Sequence, residues 1–283
     1  MSVSGAATGS RPDLAAARVP APAPPRRFGR VNWLGMATLY RREVKRYLSE
    51  WPETLGGVAV SALLFLAVFH LALEAAPQPL PGTSLVAFLI PGLVTVSIAQ
   101  KSFEAAAFSI LFDKLEGIIV DVLTPPLSAV ERALAYAFAG ATSGLVSGAT
   151  VALALLPFAP WPAIQLLPLL FFLVAGALFH ALFGILAGLR ADRWDNLAAI
   201  QTFGLIPLIY LSGAFFPTAD LPQAGRAAVL LNPAHYAVDG LRFAWLGQSE
   251  LNPMIGVALL LSLNLALFGL VWKLFAAGYK LRA

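Results

Sequence analysis

The stretch ALAYAFAGATSGLVSGATVALALLPFAPWPAIQLLPLLFFLVAGALFHALFGILAGL, residues 133–189, holds no Asp, Glu, Lys or Arg over fifty-seven positions. A helix needs about 20 apolar residues to cross the roughly 30 Å hydrocarbon core of a bilayer. The stretch is therefore long enough for two spans, and the cluster Pro157, Pro160, Trp161 and Pro162 marks the hairpin between them. Uncharged stretches continue on both sides, at 54–73, 75–100, 196–219 and 251–272, the second opening on Pro77, Pro79, Pro81 and Gly82. Together they predict an all-α membrane protein with six transmembrane helices, at about 54–74, 84–103, 132–156, 163–189, 197–217 and 253–276. Composition agrees. Of 283 residues 59% are hydrophobic and 12% charged, against roughly 45–50% and 25% in an ordinary soluble domain, and mean hydropathy is +0.77. A soluble enzyme and a largely disordered chain are both excluded.

The charges orient the spans. With the N-terminus in the cytoplasm, 17 of the 19 Lys and Arg fall on inner segments, and only Arg226 and Arg242 fall outside. Positive charge is retained on the cytoplasmic side, so both termini are expected there. The net charge of +4 is then read as a basic rim facing an anionic leaflet, with no nucleic-acid partner. Residues 1–30, with ValProAlaProAlaProProArgArg at 19–27, read as a disordered basic tail; the transmembrane domain is expected over 31–283. They lack the apolar run of a secretory signal. Over 32–52, Trp33, Met36, Tyr40, Val44, Tyr47 and Trp51 recur at helical steps, with Arg41, Arg42, Lys45 and Arg46 between them. This suits a helix lying in the membrane interface, and also a soluble helix packed on a partner.

Cysteine is absent, and His70, His180 and His235 are scattered, so neither disulfides nor a metal site is expected. Among inner segments, the loop 103–132 carries Leu115, Ile118, Ile119 and Val122 at helical spacing, with Lys114, Glu116 and Asp121 on other faces. Thr124-Pro125-Pro126 would stop this short helix, and Ser128-Ala-Val-Glu131 has the form of a capping box. Such a helix can rest on lipid or dock a soluble partner, and its pattern does not choose. Among outer segments, 218–252 is too apolar for a free loop and too broken for a span. Asn232-Pro233 and Asp220-Leu-Pro222 suit helix starts, predicting two short helices dipping into the outer leaflet, with Asp239 and Arg242 spaced to pair.

Polar residues within spans are costly and face protein or water. Gln100, His180, Gln201, Tyr210 and Asn264 are the candidates, with Gln100, Gln201 and Tyr210 the ones assigned to a pathway and hydrogen bonding between helices the competing role. Every Asp and Glu lies at a span end or in a loop, so no buried proton relay is expected. The phosphate-cradling pattern GxxxxGK[ST] is absent, no catalytic constellation stands at a workable spacing, and no internal repeat is found. Energy for any transport must come from another chain.

Several of these segments resemble, in order, the permease subunits of ABC-2 type transporters. Leu231-Asn-Pro-Ala-His-Tyr-Ala-Val-Asp-Gly-Leu-Arg242 is similar to the family's Asn-Pro…Tyr…Gly-Leu-Arg signature before the last span. Phe88-Leu-Ile-Pro-Gly-Leu93 resembles the Pro-Gly element of its second span, and Leu211-Ser-Gly-Ala-Phe-Phe-Pro217 the end of its fifth. Residues 115–128 look like its cytoplasmic coupling segment, although Glu116-Gly117 stands where the family has two adjacent acidic residues. Within the family the chain looks closest to bacterial inner-membrane permeases of the YadH-like group. The resemblance implies half of an exporter in the bacterial cytoplasmic membrane, paired with a second copy of itself and driven by a separate cytoplasmic ABC ATPase. ATP and Mg²⁺ would be bound by that ATPase, with no cofactor in this chain. It also implies ATPase coupling through Glu116, Ile118, Asp121, Val122, Pro125 and Leu127, and an outer re-entrant motif of Asn232, Pro233, Tyr236, Asp239 and Arg242. The readings that compete with it are a non-transporting scaffold or assembly factor and an ion-coupled carrier.

Overall fold

The computed structural model of the chain describes residues 29–72, 79–80, 82–158 and 164–281. The chain divides between Val31 and Asn32, and the fold is that of the second unit. The tail expected over 1–30 lies almost wholly outside the described residues, as does most of the Pro-rich hairpin between 157 and 162. The described residues are helical throughout, without a strand.

Helix α1 (Trp33–Ser49) starts at Asn32, whose side chain accepts from the Gly35 amide, and a π turn at Pro52–Gly56 leads into α2 (Gly57–Ala72). Ser84 caps α3 (Leu85–Leu115), the longest helix at 31 residues. Its internal Pro91 removes one backbone donor. A short α4 (Ile119–Leu123) follows, then α5 (Ala129–Leu155), which opens on the capping box of Ser128 and Glu131 expected from the sequence. Next come α6 (Leu166–Arg190), α7 (Trp194–Ile200), a π turn at Gln201–Leu205 and α8 (Ile206–Tyr210). Helix α9 (Gln223–Leu230) precedes α10 (Pro233–Leu246), which starts on an Asn-Pro cap and ends at Gly247 in the left-handed conformation. Helix α11 (Pro253–Ala276) closes the chain.

Among the described residues five helices are long and apolar enough to cross a membrane: Pro52–Ala72, Leu85–Leu115, Ala129–Phe158, Leu166–Arg190 and Pro253–Ala276. The fifth of the six expected spans, at 197–217, differs. Its helical path stops at Tyr210 and turns begin at Leu211. From Trp194 to Tyr210 it rises only about 25 Å at ~1.5 Å per residue, and the π turn and Pro207 lie within it.

At the centre α3 packs between α5 and α6. Apolar area gives helices little reason to associate inside lipid, so small residues permit close approach and dispersion does the rest. A Cβ built on Gly184 of α6 would lie 2.3 Å from the Phe103 carbonyl oxygen of α3. Two helices at the edge carry the opposite signature. Val60, Leu64, Val68 and Leu71 of α2 and Leu261 and Leu265 of α11 are exposed, as expected of faces turned to lipid or to another subunit.

Candidate functional site

The inner ends of the helices carry the first part of the site. Helix α3 ends at Glu116, and the chain reverses at Gly117 with φ +72°, a conformation that costs residues with a Cβ but not glycine. Helix α4 follows, with Ile119 and Val122 buried. Of the residues expected to meet a partner, Glu116, Asp121 and Pro125 are exposed and Ile118 is half-buried. Val122 and Leu127 turn inward and are buried, so they support the segment rather than present it. Their places on the outer surface are taken by Leu115 and Val120, the latter 60% exposed. The predicted single stripe assumed one continuous helix. Gly117 breaks the phase, so residues before and after it do not share a face.

This segment is pinned to α1. The Asn32 amide donates to Glu131 Oε1 at 2.6 Å, and the Asn32 side chain donates to the Pro126 carbonyl at 3.3 Å. Deeper in, α1, α3 and α5 meet around charge. Arg42 and Arg46 of α1 both pair with Asp113 of α3 and with Glu43 of α1; Tyr136 of α5 donates to Asp113 at 2.9 Å, and Ser109 donates to Glu43. Asp113 is fully buried and Glu43 nearly so. Buried carboxylates therefore do exist, against the sequence expectation, but each is compensated by guanidinium. Burial disfavours the charged form of Arg42, yet the neighbouring carboxylates outweigh it and raise its pKa above the ordinary arginine range. Farther along, Tyr40 Oη lies 3.0 Å from Thr142 Oγ1 and Tyr47 Oη 2.5 Å from Ser147 Oγ. Helix α1 is thus seated on α5 by polar contacts, with Trp33 and Trp51 left exposed.

Two recesses lie along α3, the first bordering this network at Glu43, Arg46 and Ser109. The inner one, of about 370 Å³, lies among α1, α3 and α7, with Tyr47, Glu50, Glu53, Glu104, Phe108 and Trp194 in its wall. Glu104 accepts from Lys101 and from Gln201, each at 2.7 Å. The outer recess, of about 280 Å³, lies among α2, α3 and α8 and is lined by Phe65, Ser97, Gln100, Ile209, Tyr210 and Phe215. Gln100 and Tyr210, two of the three residues assigned to a pathway, thus share a wall, and Gln201 reaches the inner recess through Glu104. Of the other polar candidates Asn264 takes the competing role between helices, whereas His180 bonds within its own helix. Asn264 donates to the Ala175 carbonyl across α6 at 3.0 Å, and His180 Nδ1 lies 2.8 Å from the Gly176 carbonyl.

In α10 the expected Asp239–Arg242 pair gives way to separate partners. Asp239 accepts from the backbone amides of Glu250 and Leu251 at 2.8 and 3.2 Å. Arg242, fully buried, lies 3.9 Å over the Phe88 ring, donates to the Gly213 carbonyl at 3.0 Å and approaches Glu250 at 3.7 Å. Asn232 caps α10 through the Ala234 amide and also donates to the Leu208 carbonyl at 2.6 Å, with Pro233 opening the helix; Tyr236 donates to the Leu230 carbonyl. A Cβ on Gly92 would lie 2.3 Å from the Ala214 oxygen, so the Pro-Gly element of α3 lies directly beneath this cap. These residues tie the loops around α10 together, while Arg226 of α9 stays exposed.

The family model of the ABC-2 type transporter matches residues 35–246, from α1 to the end of α10. The chain belongs to the ABC-2 type transporter family. It is 26% identical over 251 residues to the inner membrane transport permease YadH of Escherichia coli K12, covering 89% of this chain and 98% of that one. It is 25% identical to nodulation protein J of Rhizobium leguminosarum bv. viciae over 244 residues, covering 82% of this chain and 89% of that one. Against nodulation protein J of Bradyrhizobium diazoefficiens it is 30% identical over 186 residues, 63% and 69% of the two chains. This ABC-2 chain is a membrane transport subunit, and the matched region contains the exposed α4 face, both recesses and most of the outer cap.

Sequence reasoning missed two groups within the ABC-2 fold. Helical spacing put Arg42 and Arg46 on a solvated face, because the pattern of one helix does not show an acid seventy residues away. Glu104 and Trp194 of the inner recess also went unassigned. The adjacent Lys101 and Glu104, charged residues at the start of a loop prediction, looked like an ordinary span end. Extending α3 to its observed end would have carried the stripe 93, 97, 100, 104, 108 past both recesses.

Proposed function

We propose that this chain is the permease half of an ATP-driven exporter in the bacterial cytoplasmic membrane, working as a homodimer with a separate cytoplasmic ABC ATPase. Residues 31–283 form one transport domain, with both termini inside. Trp194–Tyr210 serves as a shortened fifth span of six, and α9 and α10 as helices re-entering the outer leaflet. ATP and Mg²⁺ are bound by the partner, since this chain has no phosphate-cradling loop.

One observation carries the reading: the segment from Leu115 to Pro125, α4 with its flanking turns, exposes Leu115, Glu116, Val120, Asp121 and Pro125 while Ile119 and Val122 anchor it in the core. A large apolar side chain left exposed beside acids, outside the lipid-crossing helices, suits docking to protein. The buried ion network joins this helix through α3 to α1, giving a stiff path along which a push from the ATPase reaches the recesses between α2, α3 and α8. Alternating access follows as the mechanism: closure of two ATPase subunits repacks these helices and reopens the path outward. The substitution Leu115→Asp with Val120→Asp tests the docking face. Both positions are exposed, so the protein is expected to reach the membrane in normal amounts while its ATPase no longer co-purifies. Normal ATPase recovery with the double variant would remove α4 as the docking element.

A further inference from the structure

The two recesses also carry information about cargo, on the reading that they form the transport path. Their walls differ in kind. The outer one is aromatic and aliphatic, and within it Ser97 is only 4% exposed, with an Oγ that has no hydrogen-bond partner among the described residues. A buried hydroxyl left unpaired costs free energy that a ligand bearing a polar atom recovers. The inner recess is acidic and aromatic. Its charges can be counted: Glu43 and Asp113 are balanced by Arg42 and Arg46, and Glu104 by Lys101. Glu50 and Glu53 remain, both exposed at the wall and with no ion pair among the described residues. Phe108 and Trp194 stand opposite, packed edge to face with ring centroids 5.8 Å apart, and aromatic faces attract cations.

This sign is unusual for its place. Seventeen of nineteen basic residues lie on the cytoplasmic segments, so the inner rim as a whole repels cations, yet this recess carries two uncompensated carboxylates. Gln100 and Glu104, one turn apart on α3, bring the two recesses within about 6 Å along the helix axis. A molecule with an apolar body and a positive centre matches both walls at once. An anion of the same shape would meet the carboxylates unfavourably.

We propose that the chain binds a lipophilic organic cation, an amine or quaternary centre joined to an apolar body, with its charge at Glu50 and Glu53 and its body toward Ser97 and Tyr210. The anionic inner leaflet concentrates such molecules beside the entrance.

Tetraphenylphosphonium and tetraphenylborate provide the test, being alike in size and shape and opposite in charge. Binding of each to the purified full-length chain in uncharged detergent would be measured by equilibrium dialysis. The cation is expected to bind at least about tenfold more tightly, the scale set by two partly screened charges a few ångströms away. In Glu50→Gln/Glu53→Gln that preference should fall to near unity, with tetraphenylborate affinity unchanged or improved, which also reports an intact fold. Equal binding of the two ions by the unaltered chain, absence of binding, or an unchanged preference in the variant would each overturn the proposal. Dialysis needs no ATPase, so its failure is separate from a failure of the exporter reading, which shows as a missing partner on purification.

Discussion

Asp113 shows how one side chain serves three helices. It accepts from Tyr136 of α5 and pairs with Arg42 and Arg46 of α1, while itself belonging to α3. Removing one partner of a buried charge group leaves the others uncompensated, at a cost of about 3–5 kcal/mol. Asp113→Asn is therefore expected to lower stability by about 3 kcal/mol, read as a fall in thermal midpoint in detergent. Arg41→Gln, on the exposed side of α1 beside Arg42, should move it by less than about 0.5 kcal/mol. Equal effects from the two would mean that the network contributes nothing. Neighbouring positions on one amphipathic helix thus have different fates, and only the partner helices decide which.

At the scale of the element, α4 depends on the turn before it. Gly117 holds φ +72° with nothing near its missing side chain, so the position is limited by backbone and not by space. A left-handed residue with a Cβ costs roughly 1–2 kcal/mol, more for a branched one. Gly117→Val is expected to leave the bundle folded but to displace α4, reducing ATPase recovery severalfold with little change in thermal midpoint. A normal yield of ATPase would show that the turn does not set the docking geometry. This element also marks how far periodicity reaches. Capping signals at Ser128–Glu131 and Asn232-Pro233 were legible because each is a local bond between residues a few positions apart. The face of α4 was not, since a single left-handed glycine rotates everything after it. The expected fifth span was only partly legible: the uncharged stretch and Pro207 were visible, but the π turn and the end of the helical path at Tyr210 leave no sequence mark.

At the scale of the whole unit from Asn32 onward, the described helices pack around α3, with exposed apolar residues on α2 and α11. The chain's uncharged stretches could be read from composition alone, since lipid permits few structures to cross it, and five of the six helices expected there are long and apolar enough to span among the described residues. The placing of Gln100 and Tyr210 around one recess could not, because it depends on how α2, α3 and α8 pack. That packing rests on small residues. Gly184→Leu would drive a side chain into the Phe103 backbone, and overpacking of this kind costs about 1–3 kcal/mol or more. The expected result is poor recovery of folded protein and loss of α3–α6 packing, read by size-exclusion profile and thermal midpoint; a wild-type profile would place the helices farther apart than described. The central claim is that this assembly moves cargo by energy drawn from another chain. The most direct test is purification of the tagged protein from its native membranes in mild detergent, followed by identification of co-eluting chains and an ATP hydrolysis assay. Near-equal amounts of a P-loop ATPase and the chain, with hydrolysis, is the predicted result. A chain that repeatedly elutes alone, without ATPase activity, would contradict the account and favour a membrane scaffold built on the same fold.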